Sequence, residues 1–264
     1  QLVEKDPSKR VSNMTLQGLS LDRLNDRVGL RSSLDNFRRD ADQKGQMEGL
    51  DSYASQALEI LSVTGLVDAL DLSKEDQKVV ERYGVNDPSY LRDGAPRMIR
   101  NFCVARRLVE AGVRVVSLNY ARWDWHGGDG MNFPRSREEF PLLDQGLSAL
   151  ITDLSERGLD KDVSVVVWGE FGRTPKINKS NSRDHWPRTS FALLAGGGMR
   201  HGQVIGQTDK NGSDIVDRPV KFQEVFSTLY HCLGVDPRAN TVKDTAGRPH
   251  YLVDSDINPI RELI

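Results

Sequence analysis

From Pro96 onward, amphipathic helix patterns alternate with short apolar strand patterns, and this alternation constrains the fold more than any other feature. Segment 96–112 carries apolar residues at three- and four-residue spacing and ends at a glycine, as an amphipathic helix does. A β-branched strand pattern follows over 113–120, and the pair repeats as a helix over 136–158 and a strand over 163–168. We therefore predict an α/β fold with a mostly parallel, doubly wound sheet and helices on both faces.

Two further patterns extend the alternation toward the C-terminus. Segment 190–197 fits a third strand, and segment 221–234 fits another helix. The apolar run over 163–168 is nearly continuous, which favours a parallel strand covered on both faces. Ser136 and Glu139 stand at capping-box spacing, so we expect the second helix to begin there.

The first 95 residues have a different character. Their apolar residues recur at helical spacing, charged residues fill the other faces, and no catalytic motif is evident. We predict a mainly helical segment over 1–95 that packs on an α/β core over 96–264, as one domain overall. A chain of 264 residues is long enough to bury such a core without a disulfide or a structural metal.

Composition excludes several classes of partner. The net charge is −2, so no overall field favours nucleic acid or an anionic membrane surface. A run of about 18 apolar residues is absent from the sequence, so we expect no membrane-spanning helix. Cys103 and Cys232 lie in helical patterns without a CxxC partner, and we expect free thiols rather than a disulfide.

Polar residues cluster where the predicted strands end, which is where ligands bind in doubly wound sheets. Asp124 and His126 follow the first strand, Glu170 follows the second, and Asp184 and His185 precede the third. Carboxylate and imidazole ligands without thiolate suit zinc, manganese, iron or magnesium. Calcium would favour a site made only of oxygens. These residues are therefore candidate metal ligands.

Each of these motifs also has a structural interpretation. Either Asp-His pair alone fits a polar turn with a capping carboxylate. Arg173 could bind a phosphate or sulfate through its planar fork, or pair on the surface with Glu170 or Asp184. The glycine-rich stretch 194–208 lacks the P-loop spacing and fits a turn better. For the remaining histidines, we expect His201 and His250 to face solvent and His231 to be structural.

Five segments carry a resemblance to a known family: "LVEAGVRVVSLNYARWDWHGG", "ALITDLSERGLDKDVSVVVWGEFGRTPKIN", "RDHWP", "LAGGGMRHGQVIGQTD" and "GRPHYL". Together they closely resemble the DUF1501 family, which is known chiefly from planctomycetes and related bacteria. That family is grouped with the alkaline phosphatase/sulfatase superfamily. The resemblance covers nearly the whole chain, from Leu21 to Leu252.

The resemblance implies an alkaline phosphatase-like sheet and a two-metal site that hydrolyses phosphate or sulfate esters of small molecules or glycans. Zinc is the expected metal, with manganese, magnesium, iron or calcium as alternatives. Family members commonly carry export signals, so the resemblance also implies a periplasmic or exported protein. In this sequence the predicted roles fall to Asp124, His126 and His185 as metal ligands, Glu170 and Asp184 as further ligands or neighbouring carboxylates, and Arg173 as the residue that holds the anionic group.

Two departures weaken that expectation. Glu170 and Phe171 stand where the superfamily ordinarily has an Asp-His pair, and a phenyl ring cannot coordinate a metal. The nucleophile and an early Asp ligand cannot be placed, and because the chain starts without Met we expect them upstream of Gln1. A catalytically silent binding or structural protein with the same fold, or a metal-dependent phosphomutase, therefore remain as alternatives. The oligomeric state is not indicated.

Overall fold

A computed structural model describes residues 23, 26, 64–89, 94–129 and 131–264. The helices of this part are α1 (Thr64–Leu70), α2 (Gln77–Arg82), α3 (Asn101–Glu110), α4 (Asn132–Glu156) and α5 (Phe222–Cys232), with 3₁₀ turns at Leu72–Lys74 and Gly127–Asp129. The strands are β1 (Ser164–Trp168), β2 (Gly172–Arg173), β3 (His185–Trp186), β4 (Ala192–Gly196), β5 (Gln207–Thr208), β6 (Ile215–Asp217), β7 (Thr241–Lys243) and β8 (Pro249–Tyr251).

The content is mixed helix and strand, as predicted, but the sheets within the described ranges are small and antiparallel. β1 pairs with β4, β2 with β3, β5 with β6, and β7 with β8. The longest pair runs from Ser164 opposite Gly196 to Trp168 opposite Ala192. The mostly parallel, alkaline phosphatase-like sheet is therefore not confirmed.

Two strand predictions need correction. Segment 113–120 forms no strand in the structure, and Val115 within it is 79% exposed. β1 does form in the predicted apolar run, but it pairs antiparallel with β4, and Trp168 at its end is partly exposed. The aromatic end of this strand packs edge-on against Phe222 and Phe226 of α5. An apolar run thus indicates contact with a helix, and it does not specify the direction of the neighbouring strand.

The helix predictions are confirmed where the structure describes them, except for the starts of α3 and α4. α3 begins at Asn101 rather than at Pro96. α4 begins at Asn132, and the Ser136 hydroxyl donates to the Asn132 carbonyl inside the helix. The predicted capping box is therefore wrong. Glu139 is instead fully buried, with Oε1 2.6 Å from Nε of Arg97. Within the predicted helical segment over 1–95, residues 1–63 lie outside the described ranges, apart from Arg23 and Asp26, which are helical, and α1 and α2 lie in its described part.

The chain divides into two compact units. The first takes residues 1–80 and 103–118, and the second takes residues 81–102 and 119–264. In the first unit, Arg106 is fully buried with Nη2 2.6 Å from Oε2 of Glu75. In the second, the buried side of α4 includes Leu150 and Leu154, and another apolar cluster comprises Met199, Val225, Ile260 and Leu263. The domain boundary predicted at residue 95 stays a prediction.

The buried side of α4 also carries a polar pair that we expect to stabilise the second unit. The Tyr83 hydroxyl donates to Oδ2 of Asp153 at 2.8 Å, and both side chains are fully buried. Replacing Tyr83 by phenylalanine should lower the free energy of unfolding by about 2 kcal/mol, because a buried carboxylate oxygen loses a hydrogen bond. Urea denaturation monitored by circular dichroism checks this, and an unchanged midpoint would contradict it.

The remaining structural predictions concern thiols and histidines. Cys103 is buried and Cys232 is partly buried, and both are free, as predicted. His201 and His250 are exposed, as predicted, although His201 Nε2 accepts a hydrogen bond from the Gly196 amide at 2.9 Å. None of the helices in the described ranges combines the length and apolar character needed to cross a membrane.

Candidate metal centre

A tight three-residue turn presents Asp124 to solvent. The amide of Trp125 donates to the carbonyl of Trp123 at 2.9 Å, which closes a γ-type turn centred on Asp124. Ala121, just before this turn, is buried and has φ of +56°, a left-handed conformation that costs a non-glycine residue energy. The Trp123 indole Nε1 donates to the Tyr120 carbonyl at 2.6 Å. The turn is thus fixed locally, and the Asp124 side chain is 54% exposed.

His185 reaches the same place through the short β2–β3 ladder. Arg173 of β2 lies opposite His185 of β3 in the antiparallel register. The ladder is extended by the Thr174 amide, which donates to the Asp184 carbonyl at 2.9 Å. Cross-strand neighbours in such a ladder have their side chains close together. His185 is therefore held next to Arg173, which itself contacts the Asp124 turn.

Asp124, His126 and His185 converge on one point. His185 Nε2 lies 3.0 Å from Oδ1 of Asp124, and His126 Nε2 lies 3.2 Å from the same carboxylate. The two imidazole rings are 4.1 Å apart between centroids. One ligand atom from each residue can be chosen so that all lie within 4.8 Å of one another. The structure thus brings together three of the five predicted metal ligands.

This arrangement stabilises the charged form of Asp124. The hydrogen bond with His185 is the largest cause that lowers the pKa of the Asp124 carboxyl, and His126 lowers it further. Burial acts in the opposite direction but is outweighed. The carboxylate therefore stays ionised at neutral pH, which is the form that coordinates a metal.

The three residues fit a divalent transition metal. Ligand atoms at about 2.0–2.1 Å from a tetrahedral zinc lie roughly 3.3 Å apart. The two carboxylate–imidazole distances, 3.0 and 3.2 Å, are close to that separation, and they equally suit hydrogen bonds without a metal. Two imidazole nitrogens and one carboxylate oxygen form a ligand set that zinc and other divalent transition metals can use.

Arg173 contacts the Asp124 turn more extensively than the sequence suggests. Its Nε and Nη2 donate to the carbonyls of Trp125 and Trp123, each at 3.2 Å, and Nη1 donates to the Gly172 carbonyl at 3.3 Å. Nη2 also lies 3.5 Å from Oδ1 of Asp124. The guanidinium thus supports both main-chain carbonyls that flank Asp124. Its predicted role in holding an anionic group stays a prediction.

Phe171 forms an apolar wall beside the site. Its ring centroid is 4.7 Å from that of His185, and the Arg173 guanidinium carbon lies 5.9 Å from the Phe171 ring centroid. At the position where the resemblance leads us to expect a further histidine ligand, the chain therefore places a ring that packs against a ligand histidine. Phe171 therefore supplies no ligand at this position.

The other two predicted ligands lie outside this group. Glu170 is exposed just past the end of β1. Asp184 directs Oδ1 to the side-chain amide of Asn178, which donates to it at 3.1 Å. Their predicted roles as metal ligands are therefore not supported by a shared geometry with Asp124, and both stay predictions.

Two asparagines that sequence reasoning missed connect the ligand-bearing loops. Asn132 bonds the Trp125 carbonyl on one side and Ser182 and Arg183 on the other. Asn178 donates to the Gly127 carbonyl at 3.0 Å as well as to Asp184. No spacing rule marks such bonds, because two that join the loops, Asn178 to the Gly127 carbonyl and the Arg183 amide to Asn132, pair an asparagine with a main-chain group 51 residues away.

Comparison with known proteins gives one match. The sequence model of a family described as "Protein of unknown function (DUF1501)" matches residues 1–264. No curated protein matches the chain, and no solved structure does.

Proposed function

The chain belongs to the DUF1501 family, a family of unknown function, and from the convergence of Asp124, His126 and His185 we propose that it is a metal-dependent hydrolase of phosphate or sulfate esters. The observation that carries the proposal is the meeting of Asp124 with His185, which lies 61 residues further along the chain. Two separate loops thereby supply a mixed oxygen and nitrogen ligand set at one exposed point. Small molecules or glycans that bear such esters are the proposed substrates.

The proposed relation to the alkaline phosphatase/sulfatase superfamily rests on the sequence segments that carry the resemblance. The antiparallel β1–β4 and β2–β3 pairs do not by themselves support it. What supports the chemistry is the local geometry of the site, which does not depend on the sheet architecture.

We propose zinc as the metal, since two imidazoles favour it over calcium and magnesium, with manganese and iron as the nearer alternatives. When bound, such a metal polarises the ester oxygen and lowers the pKa of a water molecule. The chain would supply Asp124 as a charged ligand and the two histidines as neutral ligands. Arg173 has five N–H donors and four polar contacts, so a donor remains for an ester's anionic oxygen.

A second function is favoured by Phe171. Its ring packs against His185 where a further ligand would complete a two-metal site. A protein that retains the site but binds a metal or an anionic ester without turnover would also show this arrangement. The two functions differ in whether metal-loaded protein releases phosphate or sulfate.

We expect the purified full chain to hold one equivalent of zinc after dialysis and to hydrolyse at least one of an aryl phosphate, a phosphodiester and an aryl sulfate. His185→Ala should lose both properties, because it removes one of three ligands. Elemental analysis and release of the aryl alcohol measure the two outcomes.

His250→Ala is the matched control. His250 Nε2 also lies 3.2 Å from an aspartate, Asp244, but this pair has no second histidine in the described part of the chain. The control should keep both metal and activity. Metal without turnover on the three substrates would favour the binding protein, whereas a well-folded wild type with neither metal nor turnover would overturn the proposed hydrolase.

A further inference from the structure

We infer that Asn132 is a positioning residue that fixes the two ligand-bearing loops relative to each other. The inference rests on the proposed function, because it concerns the same site. The side-chain hydrogen bonds of Asn132 go to none of the three candidate ligands. Its contacts are with residues beside them, so it would act through their placement.

The bonds of Asn132 run to both loops. Its Nδ2 donates to the carbonyl of Trp125, the residue between Asp124 and His126. Its Oδ1 accepts from the hydroxyl of Ser182 and from the amide of Arg183, two residues before His185. An asparagine amide both donates and accepts, so one side chain can bridge two loops. Aspartate of the same shape could keep only the second set of bonds.

Burial makes this bridge rigid. Asn132 is 8% exposed and Ser182 is fully buried, so water does not compete for these bonds. Asn132 is also the first residue of α4, a helix of 25 residues. Both loops are therefore bonded to the first residue of a long helix. A helix positions a site more accurately than loop contacts alone.

A second set of hydrogen bonds also joins the two ligand-bearing loops. The Gly127 amide donates to the Arg183 carbonyl at 3.0 Å, and Asn178 donates to the Gly127 carbonyl at 3.0 Å. These bonds lie on the His126 side of the Asp124 loop, whereas Asn132 donates to the Trp125 carbonyl of the same loop. Loss of Asn132 should therefore let the distance between Asp124 and His185 vary more widely without removing any ligand.

The test compares zinc affinity and amide exchange in the full chain. Asn132→Ala should still bind one zinc, but about 10- to 100-fold more weakly, which is the usual cost of losing a residue that orients a ligand. In the metal-free protein, the Arg183 and Gly127 amides should exchange about tenfold faster by NMR. The ligand-field spectrum of the cobalt-substituted variant should shift, which a loss of stability alone would not cause.

Two further variants keep the test decisive. Asn132→Asp is closer in shape to the natural side chain and serves if the alanine variant unfolds. It keeps the acceptor for the Arg183 amide, so zinc binding should weaken while that amide stays protected. Thr228→Val removes a fully buried hydroxyl that donates to Glu224 and accepts from Ile260, far from the ligands in sequence. It should lower stability and leave zinc affinity within about twofold.

The outcomes separate the inference from the proposed function. If wild type binds zinc but the Asn132 variants bind it equally well with unchanged amide exchange, the positioning role is overturned and the function stands. If wild type binds no metal and hydrolyses none of the three substrates, but Asn132→Ala frees the Arg183 and Gly127 amides, the function is overturned and the connection of the two loops by Asn132 is supported. A weakened affinity in Thr228→Val as well would overturn the positioning role in favour of general destabilisation.

Discussion

Replacing Asp124 by alanine should lower zinc affinity by more than about 100-fold, the largest effect of any single change at the candidate site. Both histidines contact Asp124, at 3.0 and 3.2 Å. Its removal deletes the only anionic ligand of the group and also frees both imidazoles to turn. Loss of an orienting residue alone commonly costs 10- to 100-fold, so loss of the shared ligand should exceed that range. Isothermal titration with zinc measures the change.

Asp184→Ala is the matched control for this prediction. Asp184 is an exposed aspartate next to His185 in sequence, but its carboxylate bonds Asn178 instead of the ligand group. Its removal should change zinc affinity by less than about tenfold, the lower limit for loss of a residue that orients a ligand, because its carboxylate bonds Asn178 and none of the three candidate ligands. The reverse result, with affinity lost in Asp184→Ala and retained in Asp124→Ala, would move the metal to the second Asp-His pair.

The meeting of Asp124, His126 and His185 could be predicted from residue types, but the architecture that brings them together could not. The sequence predicts these residues as ligands because they follow or precede strands of a parallel sheet. The structure brings them together through a γ-type turn and an antiparallel ladder of two residues per strand. Segments this short have no periodicity to detect, and their pairing depends on main-chain bonds that any sequence can form.

The buried face of helix α4 differs from the predicted one for another reason. Phe140 stands at helical spacing with Leu143 and Leu147, which favours a buried position, yet Phe140 is 53% exposed. The buried side includes Leu150 and Leu154 but also Glu139, Gly146 and Asp153, which recur every seven residues. Two acidic residues can face inward because Arg97 and Tyr83, distant in sequence, pair with them. A hydrophobic and polar pattern assigns such residues to the solvent face, because it uses only local sequence and these partners are more than 40 residues away.

Replacing Gly196 by alanine should lower the free energy of unfolding by more than about 3 kcal/mol, the largest stability effect expected here. Gly196 ends β4 and has φ of +72°, a conformation that disfavours any side chain. An added Cβ would lie 2.0 Å from the Val163 carbonyl oxygen. That oxygen accepts the Gly197 amide at 3.0 Å, so it cannot move away without breaking the end of the β1–β4 pair. Urea denaturation measures the loss.

Gly198→Ala separates the clash from the backbone strain. Gly198 has nearly the same φ, +73°, but the nearest atom to an added Cβ is 4.0 Å away. This variant should therefore lose only the left-handed cost, about 1–2 kcal/mol. The difference between the two variants then measures how firmly β1 and β4 are joined at this corner. Equal losses would mean that the Val163 carbonyl can move away from the added Cβ at little cost. In that case β1, whose end leads directly to Phe171 and Arg173, is held mainly by the packing of Trp168 against α5.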